Sequence, residues 1–169
     1  MNIEMIYASC RGIIGYEGGL PVHVKEDLQH FKAYTKGKVL VMGRKTVESL
    51  PKKLEGRTVV CLTTQKGYEN PHADIVLHSK SEVLEWCQEN KLENLVIAGG
   101  RGIYNLFMED CQTIVHSRLN HTLIPIKEFR HMVEKVEAPD LTVKGPWASA
   151  DVMTKTPKMV VVKYVWGEL

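Results

Sequence analysis

Short apolar runs rich in β-branched residues alternate along the chain with stretches whose apolar positions recur at helical spacing. Ile3 to Ala8 reads as a strand, followed by a helix from about Lys25 to Tyr34, a strand from Lys38 to Met42 and a helix opening near Arg44. Thr58 to Leu62 and Ile75 to Leu77 read as further strands. Ser79-Lys-Ser-Glu82 has the form of a capping box, a hydroxyl at a helix start with an acid three residues on, and predicts a helix through Trp86 to Glu89. Leu95 to Ala98 is the next buried run; a helix with Ile103, Leu106 and Phe107 on one side and a strand from Thr113 to His116 come after it. This order predicts an α/β fold with a mostly parallel central sheet flanked by helices. The closing run KMVVVKYVW at 158 to 166 reads as one long strand, which suggests an antiparallel edge hairpin at the C-terminus. Between 120 and 150 the Pro-containing sequence gives no clear pattern.

One position disturbs the first helical pattern. Val24, Leu28, Phe31 and Tyr34 form an apolar stripe, yet Asp27, four residues before Phe31, falls on or beside it. An acid in the first turn meets free N–H groups and the positive end of the helix dipole, which is one explanation. The other is a carboxylate held in an apolar cleft because a ligand there needs its charge.

Composition narrows the classes of function without choosing between these readings. A chain of 169 residues, 44% hydrophobic and 25% charged, suits one globular domain spanning 1–169. The formal charge of +2 is too small, and the cations too scattered, to suggest nucleic-acid binding; a positive patch should serve a small anionic ligand. No apolar run approaches about 18 residues and the start, Met-Asn-Ile-Glu-Met, lacks the regions of a signal peptide, so no membrane association and a cytoplasmic location are expected. Cys10, Cys61, Cys87 and Cys111 form no CxxC pair and read as reduced core thiols; the histidines show no ligand spacing, and no metal is expected.

Candidate chemistry gathers at three strand ends: KVLVMGRKT at 38 to 46, TVVCLTT at 58 to 64 and LVIAGGRG at 95 to 102. Ligands of open α/β sheets bind beyond the carboxyl ends of strands, where loops and helix starts expose N–H groups to anions. Gly43, Arg44, Lys45 and Thr46 offer a helix start with two cations and a hydroxyl. Gly99, Gly100, Arg101 and Gly102 let backbone approach a pyrophosphate, and Thr63 and Thr64 add hydroxyls. Each signal alone is also compatible with a plain turn; together they suit a ligand with an additional phosphate, NADP rather than NAD. Arg57, in Leu-Glu-Gly-Arg, reads equally as a solvated turn residue.

IIGYEGGLP at 13 to 21, EDLQHFK at 26 to 32, MGRKTVESLP at 42 to 51, EGR at 55 to 57, LTT at 62 to 64 and IAGGRGIY at 97 to 104 follow one another as in dihydrofolate reductases, and the first 120 residues or so resemble that family. The resemblance implies NADPH-dependent reduction of 7,8-dihydrofolate to 5,6,7,8-tetrahydrofolate, by hydride transfer to C6 and protonation of N5. It gives Asp27 the role of the active-site carboxylate that meets the pterin 2-amino group and N3, and Ser117 that of the hydroxyl bonded to it. Met5, Leu28, Phe31, Leu50, Leu54 and Ala98 match positions around the pterin and aminobenzoyl groups, and Arg57 the arginine that clamps the glutamate α-carboxylate. Tyr7, Ile14 and Leu20 match positions near nicotinamide; Arg44, Thr63 and Thr64 those at the 2′-phosphate, with Gly43, Lys45 and Leu62 beside them; Thr46 and Gly99 to Tyr104, Ile103 included, those along the pyrophosphate. The family's cis peptide would fall at Gly99-Gly100, and Gly15 to Val24 would be the loop over nicotinamide.

Two departures stand out. Val22 and His23 follow Pro21 where the family usually has tryptophan, and Asn-His-Thr-Leu-Ile-Pro replaces an acidic loop after the Ser117 strand. These are features of a divergent relative of phage or plasmid type. A related pterin or pyrimidine reductase, or a nucleotide-binding structural module without turnover, are the alternatives. Oligomeric state stays open, with a monomer favoured.

Overall fold

The computed structural model describes residues 1–141 and 146–167, so residues 142–145 of the stretch that gave no clear pattern lie outside the described residues. In chain order the elements are β1 (Asn2–Ser9), β2 (Ile13–Gly15), α1 (Lys25–Thr35), β3 (Val39–Gly43), α2 (Arg44–Ser49), β4 (Thr58–Leu62), β5 (Ile75–Leu77), α3 (Lys80–Glu89), β6 (Asn94–Ile97) and α4 (Arg101–Phe107). They continue with β7 (Thr113–Leu119), α5 (Ile126–His131), β8 (Val136–Glu137), β9 (Ser149–Lys155) and β10 (Met159–Val165).

Eight strands form one sheet in the order β5-β4-β3-β6-β1-β7-β10-β9. Pairs from β5 through β7 are parallel, and β10 runs antiparallel to both β7 and β9. The expected α/β class and closing hairpin are therefore present, but the run at 159–165 is an inner strand and the edge belongs to β9. A side chain row that is buried on both faces suits that inner place: Val161 and Val162 are 0% and 8% exposed.

The sheet separates two apolar layers. One is built on Ile3, Met5 and Tyr7 of β1 with Val83 and Cys87 of α3 and Tyr104 and Phe107 of α4. The other takes Ile6 of β1 with Val24 before α1 and Val47 of α2. Alternate residues of β1 thus serve opposite faces. All four cysteines are buried in these layers.

The crossovers position the site. From β1 the chain leaves through α1 toward β3, whereas from β6 it leaves through α4 to β7 on the other side of β1. Adjacent strands whose connections diverge leave a crevice at their carboxyl ends, the usual place for a ligand in an open sheet. The starts of α1 and α4 flank it.

Two helical stripes are narrower than their apolar spacing suggests. Leu28 is 47% and Leu106 43% exposed, while Asp27 and Thr35 are the buried residues of α1 and Tyr104 and Phe107 those of α4. The contact arc of each helix is set by where its axis sits on the sheet, and both leucines lie just beyond it. The capping box also differs in detail: Ser79 Oγ accepts from Glu82 N at 3.1 Å, but Glu82 Oε2 accepts from His78 N at 2.8 Å rather than from Ser79 N.

Candidate functional site

Helix α1 begins after Val24, whose extended backbone turns the chain and whose carbonyl accepts from Asp27 N and Leu28 N, each at 3.1 Å. Val24 is 3% exposed and anchors this first turn in the apolar layer. Asp27, the third helical residue, is carried inward with it and is 8% exposed. Across from it stands Ser117 of β7, 1% exposed, in register with Ala8 and Val161 and so on the same face as the helix. Burial raises the Asp27 carboxyl above its ordinary range; the Ser117 hydroxyl, donating toward it, and nearby His30 pull the other way. Asp27 is both a first-turn acid and a sequestered one.

A second buried carboxylate lies at the other end of the same helix. Glu4 of β1, 6% exposed, accepts from Tyr34 Oη at 2.8 Å, Lys38 Nζ at 3.1 Å and Asn2 Nδ2 at 2.9 Å. Its charge is met by a cation and two further donors.

Phe31, Leu50, Leu54 and Ala98 are partly buried against the layer that holds Val24. Met5 is not with them: its side chain is fully buried in the opposite layer, and β1 presents Ile6 and Ala8 to the α1 side instead. Leu28 projects from α1 as an exposed apolar side chain next to Asp27.

Arg57 closes the turn before β4. Gly56, with a φ of 73°, makes that turn and accepts from Gly37 N at 2.7 Å. The Arg57 side chain is half-buried; Nε donates to the Glu55 carbonyl at 3.0 Å and Nη1 to Thr35 Oγ1, at the end of α1, at 3.4 Å. It is thus a turn residue whose guanidinium is tied back to α1. A cavity of about 450 Å³ opens beside it, with Lys53, Leu54 and Asp74 also in its walls.

The three strand ends converge. Gly43 N donates to the Gly99 carbonyl at 2.8 Å, joining the end of β3 to the loop after β6. Gly99-Gly100 is a cis peptide, as the resemblance implied. A Cβ at Gly99, whose φ is 115°, would stand 3.2 Å from Tyr104 Oη, and one at Gly43 would stand 3.1 Å from Ile103 Cγ1. Both glycines therefore hold backbone where a side chain would fill the gap. Thr46 Oγ1 lies 3.4 Å from the Cβ position of Gly100, while Gly102 faces open space. The N–H groups of Arg101 and Gly102 precede the first inward bonds of α4, which run from Ile103 and Tyr104 to the Gly100 carbonyl at 3.0 and 2.9 Å.

Around this cradle Arg44 pairs with Glu48 at 3.1 Å and Arg101 with Glu137 at 3.6 Å, both at exposed positions where such pairs are readily exchanged for a ligand anion. Lys45 and Thr64 are exposed, and Leu62 and Thr63 are buried at the end of β4. Glycine backbone, hydroxyls and exchangeable cations form a donor set that fits a phosphorylated dinucleotide.

Tyr104 Oη donates to the Ile6 carbonyl at 2.8 Å, and Tyr7 packs against Tyr104 with ring centroids 5.6 Å apart. Ile14 is partly buried on that layer, in β2. Between Gly15 and Val24 the chain makes a tight turn, Tyr16 and Gly19 exchanging hydrogen bonds of 3.0 and 3.1 Å, with Leu20 38% exposed after it. Val22 packs on the α1-side layer, and His23 is exposed.

Three side chains of this region escaped the sequence patterns. Thr35 holds Arg57; His30, one turn after Asp27, faces the same acid; and His116 stacks on Tyr7 at 4.4 Å with Nε2 2.7 Å from Ser9 Oγ. Only the i+3 spacing of His30 from Asp27 was visible in the chain.

A sequence profile of the dihydrofolate reductase family matches residues 2–131. The dihydrofolate reductase of Mycoplasma genitalium is 36% identical over 109 residues, covering 63% of this chain and 68% of that protein. That of Enterococcus faecium is 35% identical over 115 residues, 68% of each chain. A solved structure, dihydrofolate reductase from Enterococcus faecalis complexed with NADP(H) and RAB-propyl, superposes with a TM-score of 0.80 over 99% of this chain and 97% of its own, at 24% identity. With a sheet order, a diglycine loop and a sequence match extending across three quarters of its length, the chain belongs to the dihydrofolate reductase family.

Proposed function

We propose that the protein catalyses NADPH-dependent reduction of 7,8-dihydrofolate to 5,6,7,8-tetrahydrofolate. The observation that carries this reading is Asp27, a carboxylate buried at the crevice with a hydroxyl and, among the described residues, no cation bonded to it. An amidine-like pterin edge offering its 2-amino group and N3 supplies the paired donors that such an acid lacks. Membership of the family, and the Enterococcus faecalis relative's complex with NADP(H), support the cofactor.

When bound, NADPH supplies the hydride for C6 of the substrate. Asp27 orients the pterin, and its negative charge favours the positive charge that builds at N5 as that atom takes a proton from water. Ser117 fixes the carboxylate's orientation. Phe31, Leu50, Leu54 and Ala98, with Leu28 at the rim, exclude water from the aminobenzoyl group, and Arg57 receives the glutamate α-carboxylate. Thr46 and the loop Gly99 to Tyr104 hold the pyrophosphate; Arg44, Thr63 and Thr64 hold the 2′-phosphate. Tyr7, Ile14 and Leu20 border nicotinamide, Tyr7 through the Tyr104 contact. Four buried cysteines, read as reduced core thiols, suit a reducing cytoplasm.

Loss of NADPH absorbance on adding dihydrofolate tests the reading, with other pterins and a pyrimidine substrate run in parallel. Turnover of dihydrofolate above the others is expected. No Asp27-dependent consumption of NADPH would overturn it.

A further inference from the structure

Helix α1 carries a second ionisable side chain into the region of Asp27. His30 lies one turn further along the helix and is half-buried. Its Nε2 is shut off from solvent without a hydrogen-bond partner, and so is Oε2 of Glu26, the residue one turn earlier on that side of the helix. Buried polar atoms are nearly always satisfied, so an imidazole nitrogen that is unpartnered among the described residues, one turn from Asp27, marks a place where a proton has a use. The ring sits 5.9 Å from that of Tyr34, which is itself committed to Glu4.

Resting on the reductase reading of Asp27, we propose that His30 is a positioning residue of the substrate site, whose charge governs the charge that Asp27 offers to the pterin. The two side chains stand on one helix face at i and i+3, Asp27 buried and His30 half-buried, and each feels the other's charge. A protonated His30 favours the ionised Asp27, and ionised Asp27 in turn favours protonation of His30; neutral His30 leaves the acid to its burial.

The neighbouring groups leave this coupling intact. On α1 the ionisable residues besides His30 are Lys25, Glu26, Asp27, Lys32 and Tyr34; α4 contributes the Tyr104 phenol, which feels the Asp27 charge; β1 contributes Glu4, whose charge is met by Lys38. Ser117 from β7 is neutral. Burial lowers the His30 imidazole and the Asp27 charge raises it, the directions a coupled pair requires.

The test is a ring-proton NMR titration of His30 in the free, full-length protein, as wild type and as Asp27→Asn, with carboxyl titration of Asp27 in wild type and His30→Gln. The coupling predicts that Asp27→Asn moves the His30 midpoint down by about half a pH unit or more, and that His30→Gln moves the Asp27 midpoint up. The acidic limb of kcat/KM in His30→Gln should move up with it, while His30→Asn repeats the result with a smaller side chain. A His30 midpoint unchanged in Asp27→Asn overturns the proposal. These titrations need no turnover, so a protein that failed to reduce dihydrofolate would overturn the reductase reading and leave the coupling decided by the two midpoints.

Discussion

Asp27 and Glu4 are two carboxylates buried to nearly the same degree, 8% and 6% exposed, at opposite ends of one helix and strand layer. Glu4 has a lysine, a phenol and an amide bonded to it; Asp27 has the hydroxyl of Ser117 and, among the described residues, no cation bonded to it. Burial of a charge is costly unless it is matched, so the first acid is compensated by the fold and the second is left for something the fold does not supply. The difference teaches that extent of burial does not mark a functional acid; incomplete compensation does.

Asp27→Asn breaks the comparison most forcefully. It keeps size and hydrogen bonding but removes the charge, and should lower kcat/KM for dihydrofolate at neutral pH by at least about a hundredfold, the scale of a lost acid–base contribution. Steady-state NADPH consumption measures this. His116 is a third ionisable group of this region, half-buried and with the like charge of Arg118 near it. Burial, aided by the Arg118 charge, holds its imidazole down at about 4, against an ordinary 6.5. The folded value lies below the unfolded one, so its stabilisation is complete above pH 6.5 and is lost as the pH falls through about 4. The full loss is at most about 3 kcal/mol. Urea unfolding at pH 7 and pH 4.5 should show a smaller acid loss in His116→Asn than in wild type.

Arg57→Leu should weaken folate binding by roughly ten- to a hundredfold with a lesser change in kcat, because it removes a charge-assisted contact far from the reacting atoms. Fluorescence titration would measure the affinity. Glu4→Gln is the mildest and the most informative contrast: stranding Lys38 and turning an amide toward existing donors should cost about 1–2 kcal/mol of stability while kcat per folded molecule stays unchanged.

The parallel half of this fold was legible because its strands are short apolar runs, those of β3, β4 and β6 largely buried and followed by glycine or hydroxyl residues; β4 and β5 fall where the pattern put them. β2 and β8 are too short to show alternation, and α5 is a single six-residue helix in the proline-containing stretch. On β1 both faces are apolar, so period-two alternation could not say that Met5 points away from α1. Asp27 and the strand-end glycines were visible because an acid on an apolar stripe and paired glycines violate local expectation. Thr35, His116 and the difference between Asp27 and Glu4 were not, since partners such as Lys38 and Tyr34 are brought to Glu4 only by the crossover from α1 to β3.

The most direct test is to compare the unfolding free energies of Asp27→Asn and Glu4→Gln with wild type at pH 7, side by side in urea. The Asp27 carboxyl is raised in the folded protein, so its stabilising form exists below the ordinary carboxylate range and its ionisation at neutral pH works against folding. Asp27→Asn should therefore leave the protein more stable than wild type, and Glu4→Gln should leave it less stable. A loss of stability in both variants would contradict the claim that Asp27 is an uncompensated charge kept for a ligand.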